Sequence, residues 1–280
     1  MKDKTITALR IDAFGRYLRE NEKSGSTIEK YLRDVRAFAS YIGNSTPNRE
    51  NVLAYKERLR EGHTVAGANS MLAALNAFFR FCGWHDLCVR QFKVQRQAFC
   101  PAERELTKEE YRRLVRCADE RKNERLALIL QTVCGTGIRV GELACITAEA
   151  VRRGKATVEC KGKTRTVFLV PALQKKLMRY IARRHILTGA VFVTSGGKPI
   201  DRCNVWKEMK ALSVRAGVPP EKVFPHNLRH LFARTFYGME KDIAKLADIL
   251  GHSSINTTRI YIITTGEEHR RRMEHMHLVI

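Results

Sequence analysis

Between Ser26 and Ile42 the apolar residues Ile28, Tyr31, Leu32, Val35, Phe38, Ala39 and Ile42 recur at intervals of three and four. That spacing puts them on one face of an α-helix. Ser26 and Glu29 read as a capping box at its start, and Gly43 as its stop. Similar periodicity predicts helices over 4–22, 49–61 and 64–82, and no stretch of the first 95 residues alternates as a strand would. This half is expected to be all-α. Segment 84–105 has mixed polarity, contains Pro101 and separates two periodic regions, so it reads as a linker with a boundary near residue 100.

A second capping box, Thr107 with Glu110, opens the next region, where Leu106 and Tyr111 are placed to form a hydrophobic staple. An apolar helix follows, carrying Leu126, Leu128, Ile129, Leu130 and Val133. Two β-rich runs, Ala156–Cys160 and Thr164–Val170, are joined by Lys161-Gly162-Lys163 and predict a hairpin. Val191–Thr194 reads as a further short strand, and helices are expected over 172–187, 200–216, 226–237, 241–249 and 254–262. The expected fold is mainly α with a small antiparallel β-sheet in the C-terminal domain. Domain limits fall at 1–95 and 106–280, with 96–105 between them.

Charge changes this picture from architecture to partner. Lys and Arg number 51 against 29 Asp and Glu in 280 residues, a net charge of +22. The excess occurs in both halves, 17 against 10 in residues 1–100 and 34 against 19 thereafter. A surface so cationic attracts polyanions, with nucleic acid foremost. Phosphate neutralisation calls for cations wherever protein meets backbone, so a two-domain clamp on duplex DNA fits the distribution. Apolar residues make up 44%, a globular proportion that excludes collagen, coiled coil and disorder. No apolar run is long enough for a membrane span and Met1–Lys4 lacks a signal-like core, so a cytoplasmic location is expected. The eight cysteines contain no C-x-x-C pair and read as reduced thiols, not a disulfide or zinc framework.

Three short stretches carry candidate chemistry. Gly135-Thr-Gly-Ile-Arg139-Val-Gly-Glu142-Leu143 places an arginine where a glycine-interrupted loop enters a helix. It suits either phosphate binding or a salt bridge to Glu142. In His226-Asn-Leu-Arg229-His230 the positions i and i+3 lie about 60° apart on a helix, so His226 and Arg229 can address one ligand, although taken alone such a pair reads first as a surface or capping histidine. His226 and His230 have metal-like i,i+4 spacing, but no third ligand accompanies them. Leu250-Gly251-His252 ends a helix, and Tyr261 follows nine residues later beside Thr257, Thr258 and Arg259.

Taken in order, these motifs resemble those of the tyrosine recombinase, or phage integrase, family. The resemblance spans 106–262 by motif and the whole chain by architecture. It implies an N-terminal helical core-binding (SAM-like) domain joined to a catalytic domain. It also implies that Arg139 and Arg229 clamp a scissile phosphate, with Tyr261 as nucleophile. Lys161, just before Gly162, matches the general acid for the leaving 5′-oxygen, with Lys163 as rival. His226 matches a proton-transfer position, and His252 one that hydrogen-bonds the phosphate. Gly141 stands where the family often has serine, and the chain is expected to be of the compact two-domain kind without an additional domain before the first helix. No metal or other cofactor is expected, since no carboxylate cluster suited to paired Mg²⁺ is evident.

The implied function is a site-specific recombinase working through a 3′-phosphotyrosine intermediate and a Holliday junction. Integration or excision of a mobile element leads, with Xer-like chromosome-dimer resolution or DNA inversion as the alternative. A type IB topoisomerase-like relaxing enzyme and a catalytically silent DNA-binding regulator are more distant rivals. The implied partners are double-stranded DNA, three further copies in a homo-tetramer on two duplexes, and an accessory directionality protein. The chain is expected to be monomeric without DNA and associated with the nucleoid. Lys30, Arg33, Arg36 and Arg80 of the first domain, and Lys163 and Arg165 of the hairpin, are expected DNA contacts. The basic, then apolar tail ending in Leu278, Val279 and Ile280 is expected to dock on a neighbouring subunit, with packing as a helix on its own domain as the alternative.

Overall fold

Each of the first four helices begins on a small polar side chain that accepts a hydrogen bond from a free backbone amide of the first turn. In α1 (Ala8–Glu20) the cap is Thr7, and in α2 (Gly25–Ile42) it is Ser24. Asn48 caps α3 (Arg49–Gly62), and Thr64 caps α4 (Val65–Phe81). The cap of α2 thus lies two residues before the expected Ser26. Ser24 has the extended backbone a cap needs, and Ser26 is already inside the helix. In this computed structural model the described residues are 4–94, 104–160, 163–262, 270 and 273–276. They fall into two units, Met1–Arg96 and Gln97–Ile280.

The first unit closes around aromatic rings. Phe14 meets Phe78 edge-on at 5.3 Å between centroids, and Phe78 meets Trp84 at 5.9 Å. Trp84, Leu87 and Val89 are buried in this same core. Asn76 clasps Val89 from both sides, its Oδ1 accepting from the Val89 amide at 2.9 Å and its Nδ2 donating to the Val89 carbonyl at 2.8 Å. The stretch following α4, read as linker from residue 84, therefore belongs to the first core through residue 89. Its apolar residues lie on and either side of a short 3-10 turn, His85–Leu87, too brief to show periodicity.

In the second unit the expected capping box is present. The Thr107 amide donates to Glu110 Oε2 at 2.8 Å, and the Glu110 amide to Thr107 Oγ1 at 3.1 Å, opening α5 (Lys108–Glu120). The next helix, α6 (Glu124–Thr136), is buried on nearly every side and forms the centre of the core. A 3-10 turn (Val140–Cys145) and α7 (Ala148–Arg153) lead into the hairpin. Strand β1 (Lys155–Cys160) pairs antiparallel with β2 (Lys163–Phe168), in register from Lys155 opposite Phe168 to Cys160 opposite Lys163. Helices α8 (Pro171–Arg183), α9 (Arg202–Arg215), α10 (Pro225–Glu240), α11 (Ile243–Leu250) and α12 (Ile255–Arg259) complete the unit.

Two expectations need correction. Val191–Thr194 does not form a strand: the region contributes only the isolated bridges Thr147 with Ala190 and Val193 with Pro199. Here the chain serves as core filling, with Val191 and Phe192 fully buried. The last helix expected to run through residue 262 stops at Arg259, so Tyr261 lies just beyond it. Among the described residues no helix is long and apolar enough to cross a membrane, and no cluster of His, Cys, Asp and Glu could hold a metal ion.

Candidate active site

Two helices end on left-handed glycines that face the start of α10. Gly137 (φ +67°) ends α6 and Gly251 (φ +65°) ends α11. A side chain at Gly137 is excluded twice over, because an added Cβ would also lie 2.5 Å from Phe232 Cδ1 on α10. These ends aim backbone carbonyls at Arg229, which is only 1% exposed. One terminal nitrogen of Arg229 donates to the Gly137 carbonyl at 2.6 Å. The other donates to the Leu250 carbonyl at 2.7 Å and meets His252 Nε2 at 2.9 Å. Arg229 Nε is buried with no partner among the described residues. Burial first, and the charge of Arg139 second, pull the Arg229 guanidinium down to about 10, which leaves it cationic at neutral pH.

Because Arg229 can only donate, His252 Nε2 must accept. Its other nitrogen, Nδ1, then carries the hydrogen and donates to Thr258 Oγ1 at 2.8 Å. Neutral imidazole is what the surroundings favour, since burial and then Arg229 and Arg139 push His252 down to about 4. His226 is lowered as well, by burial and by Arg229, Arg139 and Arg202.

Tyr261, 5% exposed, packs among these rings. Its hydroxyl lies 3.0 Å from His226 Nε2. The phenol is stacked on His230 at 4.3 Å between centroids, with His252 at 5.2 Å and the Arg229 guanidinium 5.9 Å from its ring. A neutral His226 can accept the phenolic proton, and Arg229 stands beside the oxygen that would lose it.

Arg139 joins the cluster through Glu142. Its terminal nitrogen donates to Glu142 Oε1 at 2.9 Å and its amide to Oε2 at 2.8 Å. Arg165 on β2 holds the same carboxylate from the other side, at 3.1 and 2.6 Å. Burial would raise Glu142, but hydrogen bonds from Arg165 and Arg139 outweigh it and hold the group below the usual carboxylate range. Arg139 remains 36% exposed at its side chain, so its salt bridge and an approachable cation coexist. The alternatives left open by the sequence are not exclusive.

Residues 104–268 match the model of the phage integrase family, and residues 11–85 match that of the phage integrase N-terminal SAM-like domain. The chain belongs to the phage integrase family of tyrosine recombinases. It is 31% identical over 278 residues to tyrosine recombinase XerA of Thermococcus kodakarensis, covering 96% of this chain and 95% of that protein. XerA of Pyrococcus furiosus is 29% identical over 288 residues, covering 100% and 98%. In fold the chain resembles a lambda integrase tetramer bound to a Holliday junction, with a TM-score of 0.74 at 18% identity, over 93% of this chain and 78% of that one.

In this recombinase the sequence-selected Arg139, His226, Arg229, His252 and Tyr261 converge. Lys161 lies outside the described residues, as do Leu278, Val279 and Ile280. Lys163 opens β2 opposite Cys160, but its side chain is also outside the description. Arg165, expected to reach DNA, is turned into the Glu142 carboxylate with a side chain only 12% exposed. Lys30 is engaged by buried Asp34 at 2.7 Å and by the Ser70 carbonyl at 2.7 Å, linking α2 to α4. Arg33, Arg36 and Arg80 are exposed. A Cβ at Gly141 would meet nothing within 4 Å, so the absence of the family's frequent serine costs no packing.

His230 and Thr258 were not selected from sequence, yet both touch the core of the site. His230 had a signal in its position one turn after His226. Thr258 had one in lying three residues before Tyr261, though either feature alone suits ordinary packing.

Proposed function

We propose that this recombinase breaks and rejoins duplex DNA at specific sites through a covalent 3′-phosphotyrosine formed on Tyr261. The contact of 3.0 Å between the Tyr261 hydroxyl and His226 Nε2, beside the buried Arg229, is the observation that carries this reading. Tyr261 Oη attacks the scissile phosphorus while its proton passes to His226. The P–O5′ bond then breaks, and the 5′-oxygen takes a proton from Lys161, with Lys163 as the rival donor. Arg139 and Arg229 offset the charge gathering on the phosphorane oxygens. His252, as arranged here, orients the Arg229 guanidinium. The phosphodiester energy stays in the tyrosyl ester, so a 5′-hydroxyl from the partner strand can reverse the step without ATP.

Two cleaved duplexes exchange strands in a homo-tetramer assembled on DNA from monomers, a reading supported by the likeness to the lambda integrase tetramer. The +22 charge suits both domains to duplex phosphate, with Arg33, Arg36 and Arg80 as contacts from the first. End-to-end similarity to proteins called XerA favours an Xer-type role, such as resolution of chromosome dimers, over integration or excision of a mobile element. The work is done in the cytoplasm, on the nucleoid, with an accessory protein to set direction.

A suicide DNA substrate, nicked so that the cleaved strand diffuses away, tests the chemistry. Wild-type protein should accumulate a covalent adduct, and Tyr261→Phe should bind equally well but form none. An undiminished adduct with Tyr261→Phe refutes the assignment. Sequencing the trapped DNA then identifies the target. Persistent one-to-one complexes that only relax supercoils would instead indicate a topoisomerase-like enzyme.

A further inference from the structure

His230 lies one helical turn beyond His226 on α10, so the two imidazoles share a face of the helix. Their rings meet edge to face at 5.0 Å between centroids. His230 also lies against Tyr261, at 4.3 Å and an interplanar angle of 29°, the shortest ring separation in the site. His226 approaches the same phenol at 5.3 Å and 56°, presenting its nitrogen to the hydroxyl, not its face to the ring.

We infer that His230 is a positioning residue that fixes the Tyr261 phenol by ring stacking and so keeps its hydroxyl within reach of His226. This rests on the reading of Tyr261 as nucleophile. Tyr261 lies two residues past the end of α12, and its amide donates to the Thr258 carbonyl at 2.9 Å, which fixes the backbone but not the side-chain torsions of the phenol. Its ring must be held by what it packs against. His226 constrains the oxygen but, tilted, leaves the ring free to roll about the Cβ–Cγ bond. The near-parallel His230 face removes that freedom.

An uncharged ring suits the task, and burial, His226 and Arg229 all act to keep His230 neutral. A charged imidazolium here would sit beside Arg229 and weaken the cationic site by repulsion. Stacking needs only an aromatic face, whereas proton transfer needs the imidazole nitrogens. Substitution separates the two.

Single-turnover formation of the covalent adduct is measured at saturating suicide substrate, for wild type, His230→Ala, His230→Phe and Tyr261→Phe, across pH 6 to 9. His230→Ala should slow adduct formation by at least about tenfold with DNA affinity unchanged, since misplacement of a reacting group by about 1 Å is worth up to about 100-fold. His230→Phe should recover to within about threefold of wild type, with a pH profile of the same shape. If His230→Phe is as slow as His230→Ala, or its pH profile changes shape, the imidazole carries protons and the stacking role is wrong. Wild-type rates in His230→Ala also overturn it. Melting curves report whether His230→Ala folds. If it does not, His230→Leu, which fills the space without a π face, replaces it and should show the same loss, a wild-type rate again being contrary. Adduct formation by Tyr261→Phe would remove the nucleophile assignment itself, and this inference with it.

Discussion

Replacing Gly137 by alanine tests whether the end of α6 is built to place Arg229. The new methyl enters a residue at φ +67°, where an L side chain costs about 1–2 kcal/mol. It also lies 2.5 Å from Phe232 Cδ1, 2.6 Å from Cε1 and 3.1 Å from Leu250 Cδ2. The first two are atoms of a stiff, half-buried aromatic ring on α10, which has to swing as a whole to make room. Overpacking of this kind adds about 1–3 kcal/mol, so Gly137→Ala should lose about 2–5 kcal/mol. Gly217 supplies the control, because its φ is +60° and a Cβ there meets nothing within 4 Å. Gly217→Ala should lose only the backbone cost, about 1–2 kcal/mol. Urea unfolding of the full chain measures both. Cleavage should fall with stability only in Gly137→Ala, because relieving the clash moves the carbonyl that accepts from Arg229 at 2.6 Å. Equal destabilisation by the two variants, or normal single-turnover cleavage by folded Gly137→Ala, would refute the reasoning.

Acid should destabilise the catalytic unit through its histidines. His230 and His252 are held at about 4, below the ordinary 6.5, so the folded state disfavours their protonation. Their contribution is complete above pH 6.5 and is lost as pH falls toward 4, giving a lower melting temperature at pH 5 than at pH 7; an equal or higher one at constant ionic strength contradicts the assignment. Arg165→Gln should slow cleavage and leave the salt dependence of DNA binding unchanged, because its guanidinium is spent on Glu142. A log–log salt slope shallower by about 0.9 would mean instead that Arg165 neutralises a phosphate.

The difference between Arg165 as expected and as found shows what a one-dimensional reading contains. A basic residue just after the hairpin lysines looks like a phosphate contact, and its strand periodicity says only that it shares a face with alternate neighbours. Which face meets the protein depends on how the hairpin docks. Gly251 decides this locally: an added Cβ there would be 2.8 Å from Arg165 Cδ, so the side chain runs across the glycine to reach Glu142. Those partners are 23 residues earlier and 86 later, beyond any local pattern. The engagement of Lys30 was equally hidden, because one of its acceptors, the Ser70 carbonyl, lies on another helix. Trp84 was hidden for a different reason: it enters the core from a turn without periodicity.

The part that was legible rests on short-range stereochemistry. Glycine after an apolar helix predicts a stop, and Gly251 provides one; Gly137, which the sequence presented only as part of a loop entering a helix, ends α6 in the same left-handed way. The i,i+3 spacing of His226 and Arg229 predicts that they share a face of one helix, and both side chains lie against Tyr261. These local rules do not explain why an arginine at 1% exposure is tolerated. A buried guanidinium without partners would be prohibitive, and its cost is offset here by carbonyls that the two helix stops leave unpaired. The glycines therefore act together: each terminates a helix, and the orphaned acceptors at those ends create the place where Arg229 can remain charged out of water. His252 completes the acceptor set only as neutral imidazole, which ties the protonation state of one motif to the orientation of another. Sequence order separates these motifs by up to about a hundred residues, yet chemically they form one unit, and a change in any of them should be felt first at the Arg229 guanidinium.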